Sequence, residues 1–201
     1  MPSRFRVRRI FKGLVVAVAK PLARRGIHPN TITYFSLLLA FLAAIVLNVT
    51  GSALLFGVIV FFSGLFDGVD GAVARERDVS SDLGSFTDSV IDKVSEILIL
   101  GSMAVKYYGE AIFGLPVPLL VIAAITGWLL TSYTRARAAG LGVTDIDIGL
   151  GGRSERLFIL VIFSVIDMLL WGLVVVALIG LLTAGYRFHH YSSQLNTSQT
   201  E

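Results

Sequence analysis

Residues Phe66–Glu96 read FDGVDGAVARERDVSSDLGSFTDSVIDKVSE, and the reading of this stretch decides the fold. Asp67 and Asp70 are three apart and Asp88 and Asp92 four apart, so each pair lies on one face of a helix. The first pair sits at the end of an apolar run that starts at Ala53, and the second near the start of one that reaches Tyr107. Two helices joined by the short segment Arg75–Leu83 must lie antiparallel, which turns Asp67 and Asp70 towards Asp88 and Asp92. Four carboxylates at membrane depth are costly unless something compensates them, which marks them as functional. Hard divalent cations fit such a site, and Mg²⁺ favours a few carboxylates completed by water and substrate phosphate. Two such ions would balance four carboxylates and clamp both oxygens of a phosphoryl displacement. Gly68, Gly71, Ala72 and Ala74 leave one helix face almost bare, Gly84 does the same at the start of the next run, and Arg75 offers a guanidinium fork for diphosphate oxygens.

The composition around this stretch is that of a membrane protein. Of 201 residues, 55% are hydrophobic and 15% charged, against about 25% charged in soluble domains. Disordered chains, coiled coils and ordinary soluble domains are excluded, and the absence of cysteine removes disulfide scaffolds and thiolate chemistry. Apolar runs span Ile32–Val49, Ala53–Phe66, about Ser85–Tyr107, about Leu115–Tyr133 and Leu157–Ala184. The last, at 28 residues, is too long for one ordinary span of about 20. Asp167, Trp171 and Gly172 offer a turn within it, giving six transmembrane helices in an all-α bundle. With the N-terminus in the cytoplasm, six spans leave Lys106 as the one basic residue in the outer loops. Both termini and the acidic site then face the cytoplasm at the cell membrane.

Eight of the 17 basic residues fall in the first 30 positions, where there is no acid. A basic end on an apolar chain points to an anionic lipid surface, not to nucleic acid. Phe5, Val7, Ile10, Phe11, Leu14 and Val18 recur at near-helical spacing with Arg4, Arg6, Arg8, Arg9 and Lys12 among them, which reads as an amphipathic interfacial helix. The apolar run Leu14–Ala19 is too short for a signal peptide. The chain therefore divides into a basic juxtamembrane segment (1–28), a six-helix membrane domain (29–191) and a polar tail (192–201) expected to be disordered.

Arg135, Arg137, Arg153 and Arg156 converge on the same membrane face as the acids, flanking a Gly-rich segment, Gly140–Gly152, that carries Asp145 and Asp147. Four arginines suit an anionic acceptor with a phosphate group, where choline, ethanolamine or serine would not need them. His28, His189 and His190 lack carboxylate partners at ligand spacing and read as interfacial residues, and Lys93 reads as an ion-pair or headgroup residue.

The pattern Asp67-x2-Asp70-Gly71-x2-Ala74-Arg75-x8-Gly84-x3-Asp88-x3-Asp92 resembles the signature of the CDP-alcohol phosphotransferase family at every fixed position. The resemblance implies a six-helix membrane enzyme that transfers a phosphatidyl-type group from a CDP-linked lipid onto a hydroxyl and releases CMP. It implies Mg²⁺ or Mn²⁺, two ions, at Asp67, Asp70 and Asp88, with Asp92 completing the site and acting as general base. It gives Gly71, Ala74 and Gly84 the role of making room for the cytidine and Arg75 that of contacting its diphosphate. The stretch Ser132–Ala138 and the pair Glu155-Arg156 are similar to the inositol-phosphate-accepting branch, the phosphatidylinositol phosphate and archaetidylinositol phosphate synthases. Ser132, Arg135, Arg153, Arg156 and Arg187 are then the acceptor-phosphate residues. The resemblance also implies a homodimer.

The competing branch accepts glycerol phosphate, as in phosphatidylglycerophosphate synthases. A more distant alternative, a divalent-cation transporter, needs polar residues through the full bilayer depth, whereas no acid lies between Glu110 and Asp145.

Overall fold

The computed structural model describes residues 10–146, 148–149 and 151–197. Phe5, Val7, Arg4, Arg6, Arg8 and Arg9 of the amphipathic segment, Asp147 and the last four residues lie outside the described residues.

Seven helices run in order among the described residues: α1 (Lys12–Arg24), α2 (Pro29–Thr50), α3 (Ala53–Glu76), α4 (Asp82–Lys106), α5 (Val117–Gly140), α6 (Arg153–Val165) and α7 (Leu169–Thr197). Local chemistry sets their ends. Pro29 opens α2, where its missing N–H costs nothing, and the His28 ring nitrogen Nδ1 accepts from Asn30 N at 3.2 Å. Gly51 closes α2 in the left-handed conformation (φ 71°), and Ser52 at once caps α3 by accepting from Leu55 N at 3.2 Å. Ser81 caps α4 in the same way through Gly84 N at 3.1 Å. Between α4 and α5 a short antiparallel hairpin, β1 (Ala111–Ile112) and β2 (Leu115–Pro116), turns through Phe113 and Gly114, both at positive φ.

The turn expected inside the long apolar run is present. The helix breaks at 166–168 with Asp167 at φ 55°, and Met168 N donates to Phe163 O at 2.8 Å. Gly172 is needed there, because a Cβ would sit 2.7 Å from Phe163 Cβ. The polar tail differs from expectation. Helix α7 continues to Thr197, held by Tyr191, whose hydroxyl donates to Ile146 O at 2.8 Å, and by Leu195 packed on the Ala138–Val143–Ile148 cluster.

The packing closes a ring in the order α2–α3–α6–α7–α5–α4 and back to α2, with α1 lying outside against α3. The ring is filled by Phe56, Val60, Leu100, Met103, Trp128, Leu160 and Leu173. Small residues set a close crossing of α5 and α7: at Gly127 a Cβ would lie 2.7 Å from Leu181 N and 2.8 Å from the Gly180 carbonyl carbon. Of these helices α2, α3, α5 and α7 are long and apolar enough to cross a membrane. The helix α4 carries five charged residues in its first 15, Asp82, Asp88, Asp92, Lys93 and Glu96. The sixth, α6, has 13 residues, about 20 Å at 1.5 Å per residue. Large exposed apolar side chains on the outside of the ring, among them Leu38, Phe41, Leu119, Ile122 and Leu182, suit a lipid surround.

Candidate active site

The acids meet inside one end of the ring. One carboxylate oxygen from each of Asp67 on α3 and Asp88 and Asp92 on α4 lies within 4.8 Å of the other two, and all three residues are half-buried. Both helices pack along α2, which holds their acidic faces across a gap. Three carboxylates this close repel unless a cation sits among them. In the structure that cation is Arg153, the first residue of α6. Its Nη1 pairs with Asp67 and lies 2.8 Å from Asp92 Oδ1, while its Nε lies 3.3 Å from Glu96 Oε1. Glu96, 2% exposed, also takes Lys93 Nζ at 2.7 Å. A converging set of oxygen donors that already accommodates positive charge fits a hard divalent ion.

Asp70 is turned away from this group. It is 4% exposed. Its Oδ2 accepts from Thr33 Oγ1 on α2 at 2.6 Å, and its Oδ1 accepts from Gly71 N at 2.5 Å. The bare face of α3 serves two purposes. Gly68 receives Val15 of α1, 3.5 Å from where its Cβ would be, and Gly71 is overhung by Arg75, whose Nη1 lies 3.4 Å from its Cβ position. Arg75 is exposed and Ala74 half-buried. Gly84 at the start of α4 faces Ser81 Oγ and Asn30 Oδ1.

The arginines fall into two groups. Arg135 and Arg137 are exposed in the last turns of α5. Arg153, Arg156 and Arg187 are gathered inward, and the last two are almost inaccessible, at 1% and 8%. Arg187 donates from Nε to Ile148 O at 2.9 Å and from Nη1 to Thr131 O at 2.6 Å, which ties α7 to α5 and to the Gly-rich segment. The glycines there make room for α7: a Cβ at Gly149 would meet Thr183 Cγ2 at 2.8 Å. Arg156 lies over the Trp128 ring, its Cζ 4.5 Å from the centroid, and its Nε and Nη1 have no hydrogen-bond partner among the described residues. Ser132 sits on the same turn of α5, its hydroxyl donating to Trp128 O at 3.3 Å.

Sequence reasoning missed Thr33, Glu96 and Trp128. Glu96 had a readable signal: it extends the Asp88–Asp92 spacing by four more residues into an apolar run. Thr33 and Trp128 had none, since each reaches the site through a packed partner helix.

Comparison with known proteins places this geometry. The CDP-alcohol phosphatidyltransferase family model matches residues 26–186. The chain is 31% identical over 178 residues to an archaetidylinositol phosphate synthase of Pyrococcus horikoshii, covering 89% of this chain and 90% of that one. It is 32% identical over 192 residues to a phosphatidylinositol phosphate synthase of Mycobacteroides abscessus, covering 90% and 85%. The structure is similar to that of the Mycobacterium tuberculosis phosphatidylinositol phosphate synthase with CDP-DAG bound, with TM-score 0.73 and 25% identity over 88% of this chain and 92% of that one. It is equally similar to the same enzyme in complex with manganese and citrate, with TM-score 0.73 and 26% identity over 88% of each chain. The chain belongs to the CDP-alcohol phosphatidyltransferase family.

Proposed function

We propose that this enzyme transfers the lipid phosphoryl group of a CDP-linked lipid to inositol phosphate and releases CMP. The observation that carries the acceptor is Arg156. A guanidinium 1% exposed with two N–H groups lacking partners is costly. It is built for acceptor oxygens that arrive with a substrate. Three inward guanidinium groups beside a hydroxyl-activating carboxylate match a substrate that is both a phosphate and an alcohol. The named relatives point to the same acceptor.

Asp67, Asp88 and Asp92, with Asp70 behind them, would hold Mg²⁺ or Mn²⁺, which supplies charge neutralisation of the donor diphosphate. The remaining work belongs to the chain. Arg75, poised over Gly71, contacts the diphosphate, and Gly71, Ala74 and Gly84 leave room for the cytidine. Arg156, Arg153 and Arg187 orient the acceptor phosphate, with Ser132 and Arg135 at the rim. The Asp92 carboxylate takes the proton of the acceptor hydroxyl. The hydroxyl oxygen forms a bond to the lipid-bearing β-phosphorus, the bond to the CMP oxygen breaks, and CMP leaves. Catalysis is positioning and electrostatics, as is usual for phosphoryl transfer.

We also propose that α2–α7 all span the membrane, with α1 at the cytoplasmic interface, both termini and the site facing the cytoplasm, and two copies forming a dimer. The charge distribution supports the orientation: Arg24, Arg25, Arg75, Arg77, Arg135, Arg137 and Arg187 lie at the site end and Lys106 at the other. Because the chain has no cysteine, single cysteines at Tyr108 and Ser193 report sidedness by impermeant labelling, and cross-linking in membranes reports the dimer.

The deciding assay offers purified protein a labelled CDP-lipid and Mg²⁺ with inositol phosphate, glycerol phosphate or serine. Lipid product and CMP with inositol phosphate alone are expected. Product with glycerol phosphate instead would refute the acceptor and keep the metal site.

A further inference from the structure

We propose that Arg153 is an exchangeable guanidinium: with no divalent ion bound it neutralises Asp67 and Asp92, and when an ion loads it leaves both, keeps Glu96 as its pivot, and turns its fork to the acceptor phosphate beside Arg156. The proposal rests on the acceptor reading above and adds to it a coupling between metal loading and acceptor binding.

Four observations carry it. Arg153 Nη1 engages Asp67 and Asp92, the same carboxylates that converge as a divalent site. A guanidinium held against those carboxylates and a divalent cation among them compete, since like charges at close distance repel strongly in a partly dry interior. The other end of the fork, Nε, is held separately by Glu96 Oε1 at 3.3 Å, so Nη1 can let go while the side chain stays anchored. Glu96 is itself fixed by Lys93 and stands outside the converging triad. Arg153 is the first residue of α6, directly after Gly151 and Gly152. Its backbone is therefore at a helix start, not locked within a helix.

The destination is set by the helix. Arg156 is three residues on, on the same face of α6, and its Nε and Nη1 lack partners. Glu96 therefore holds the Arg153 fork at 3.3 Å, one helical turn from Arg156. An arginine released from the acids and still held by Glu96 adds a second fork where Arg156 needs an anion. Metal loading would then assemble the acceptor pocket, and by reciprocity the acceptor would tighten the metal.

The test measures Mn²⁺ affinity by electron paramagnetic resonance on the full chain in lipid nanodiscs, without donor lipid, with and without inositol phosphate. In the native protein inositol phosphate should tighten Mn²⁺ binding by roughly 5-fold or more, the lower range of such couplings. Arg153→Met should bind Mn²⁺ roughly tenfold more tightly with no acceptor present and lose the dependence on inositol phosphate. Arg153→Lys keeps the charge without the fork and should shift affinity in the same direction by less, which covers the case in which the methionine variant fails to fold. Unchanged Mn²⁺ affinity in both variants would overturn the exchange and leave the acceptor reading standing. Coupling that persists at full strength in Arg153→Met would also overturn it, since the phosphate would then be drawn by the metal directly. A native protein whose Mn²⁺ affinity ignores inositol phosphate would overturn the exchange, while the acceptor reading is decided separately by lipid product formed with inositol phosphate.

Discussion

Gly127→Ala tests the packing that carries the acceptor pocket. The added Cβ would lie 2.7 Å from Leu181 N, 2.8 Å from the Gly180 carbonyl carbon and 3.2 Å from Gly180 Cα, all backbone atoms of α7. Backbone cannot rotate aside, so α5 and α7 must part by about 1 Å to restore ordinary contact of about 3.5–4.0 Å. Overpacking of this kind costs about 1–3 kcal/mol. Two hydrogen bonds stretch with it: Trp128 Nε1 to Val176 O, 3.3 Å, and Thr131 Oγ1 to Gly180 O, 3.1 Å. Each is worth about 0.5–1.5 kcal/mol. Alanine returns about 1 kcal/mol through helix propensity. The balance is a loss of about 3 kcal/mol, or a melting temperature about 6–12 °C lower at 2–4 °C per kcal/mol. Thr131 O also accepts from Arg187 Nη1 at 2.6 Å, so KM for the acceptor should rise as well. The assay is a thermal melt in detergent beside steady-state CMP release. Gly185→Ala on α7, where a Cβ meets nothing within 4 Å, is the control and should melt no lower than native protein. A Gly127→Ala melt within about 2 °C of native would refute the argument.

Asp92→Asn keeps shape and removes the base. CMP release should fall about 10²- to 10⁴-fold with the melt preserved, and unchanged turnover would remove the assignment. Thr33→Val deletes the donor to buried Asp70 Oδ2, a charge-assisted bond worth about 1.5–3 kcal/mol. The Mn²⁺ concentration for half-maximal activity should change, with Thr33→Ser restoring it. Arg187→Met strands the Ile148 carbonyl, at about 1–3 kcal/mol, and leaves the Thr131 carbonyl only the Thr134 hydroxyl at 3.3 Å. Acceptor KM should rise more than kcat falls, whereas equal effects on both would argue for a purely structural role.

Much of the fold was legible because apolar runs and their punctuation are local. The gap between the runs ending at Val49 and starting at Ala53, and the break at Asp167, are present in the sequence and in the structure. The approach of Asp67 to Asp88 and Asp92 was legible because i,i+4 spacing fixes a helix face, whereas Asp70 bonds Thr33 outside that group. What could not be read depends on neighbours. Residues 192–197 look like a polar tail, yet Tyr191 and Leu195 find partners on the loop after α5 and keep α7 helical. Arg153 reads as an acceptor residue by position, and only the ring order places it across the interior from Asp92 and Glu96. Hydropathy treats Glu96 as an isolated charge, whereas in three dimensions it balances Lys93 and Arg153.

The helix lengths together act as a depth gauge. From the far turn to the reacting layer, α3 rises by 14 residue steps (Ala53 to Asp67), α4 by 14 (Asp92 to Lys106) and α6 by 12 (Arg153 to Val165). At 1.5 Å each, all three give about 18–21 Å. The hydrocarbon layer is about 30 Å thick. On the proposed spanning of all six helices, with the far turns at the layer's boundary, the acidic group would lie about 10 Å beneath the opposite surface. A donor lipid would then have to sink its diphosphate below the plane of its neighbours' headgroups to react.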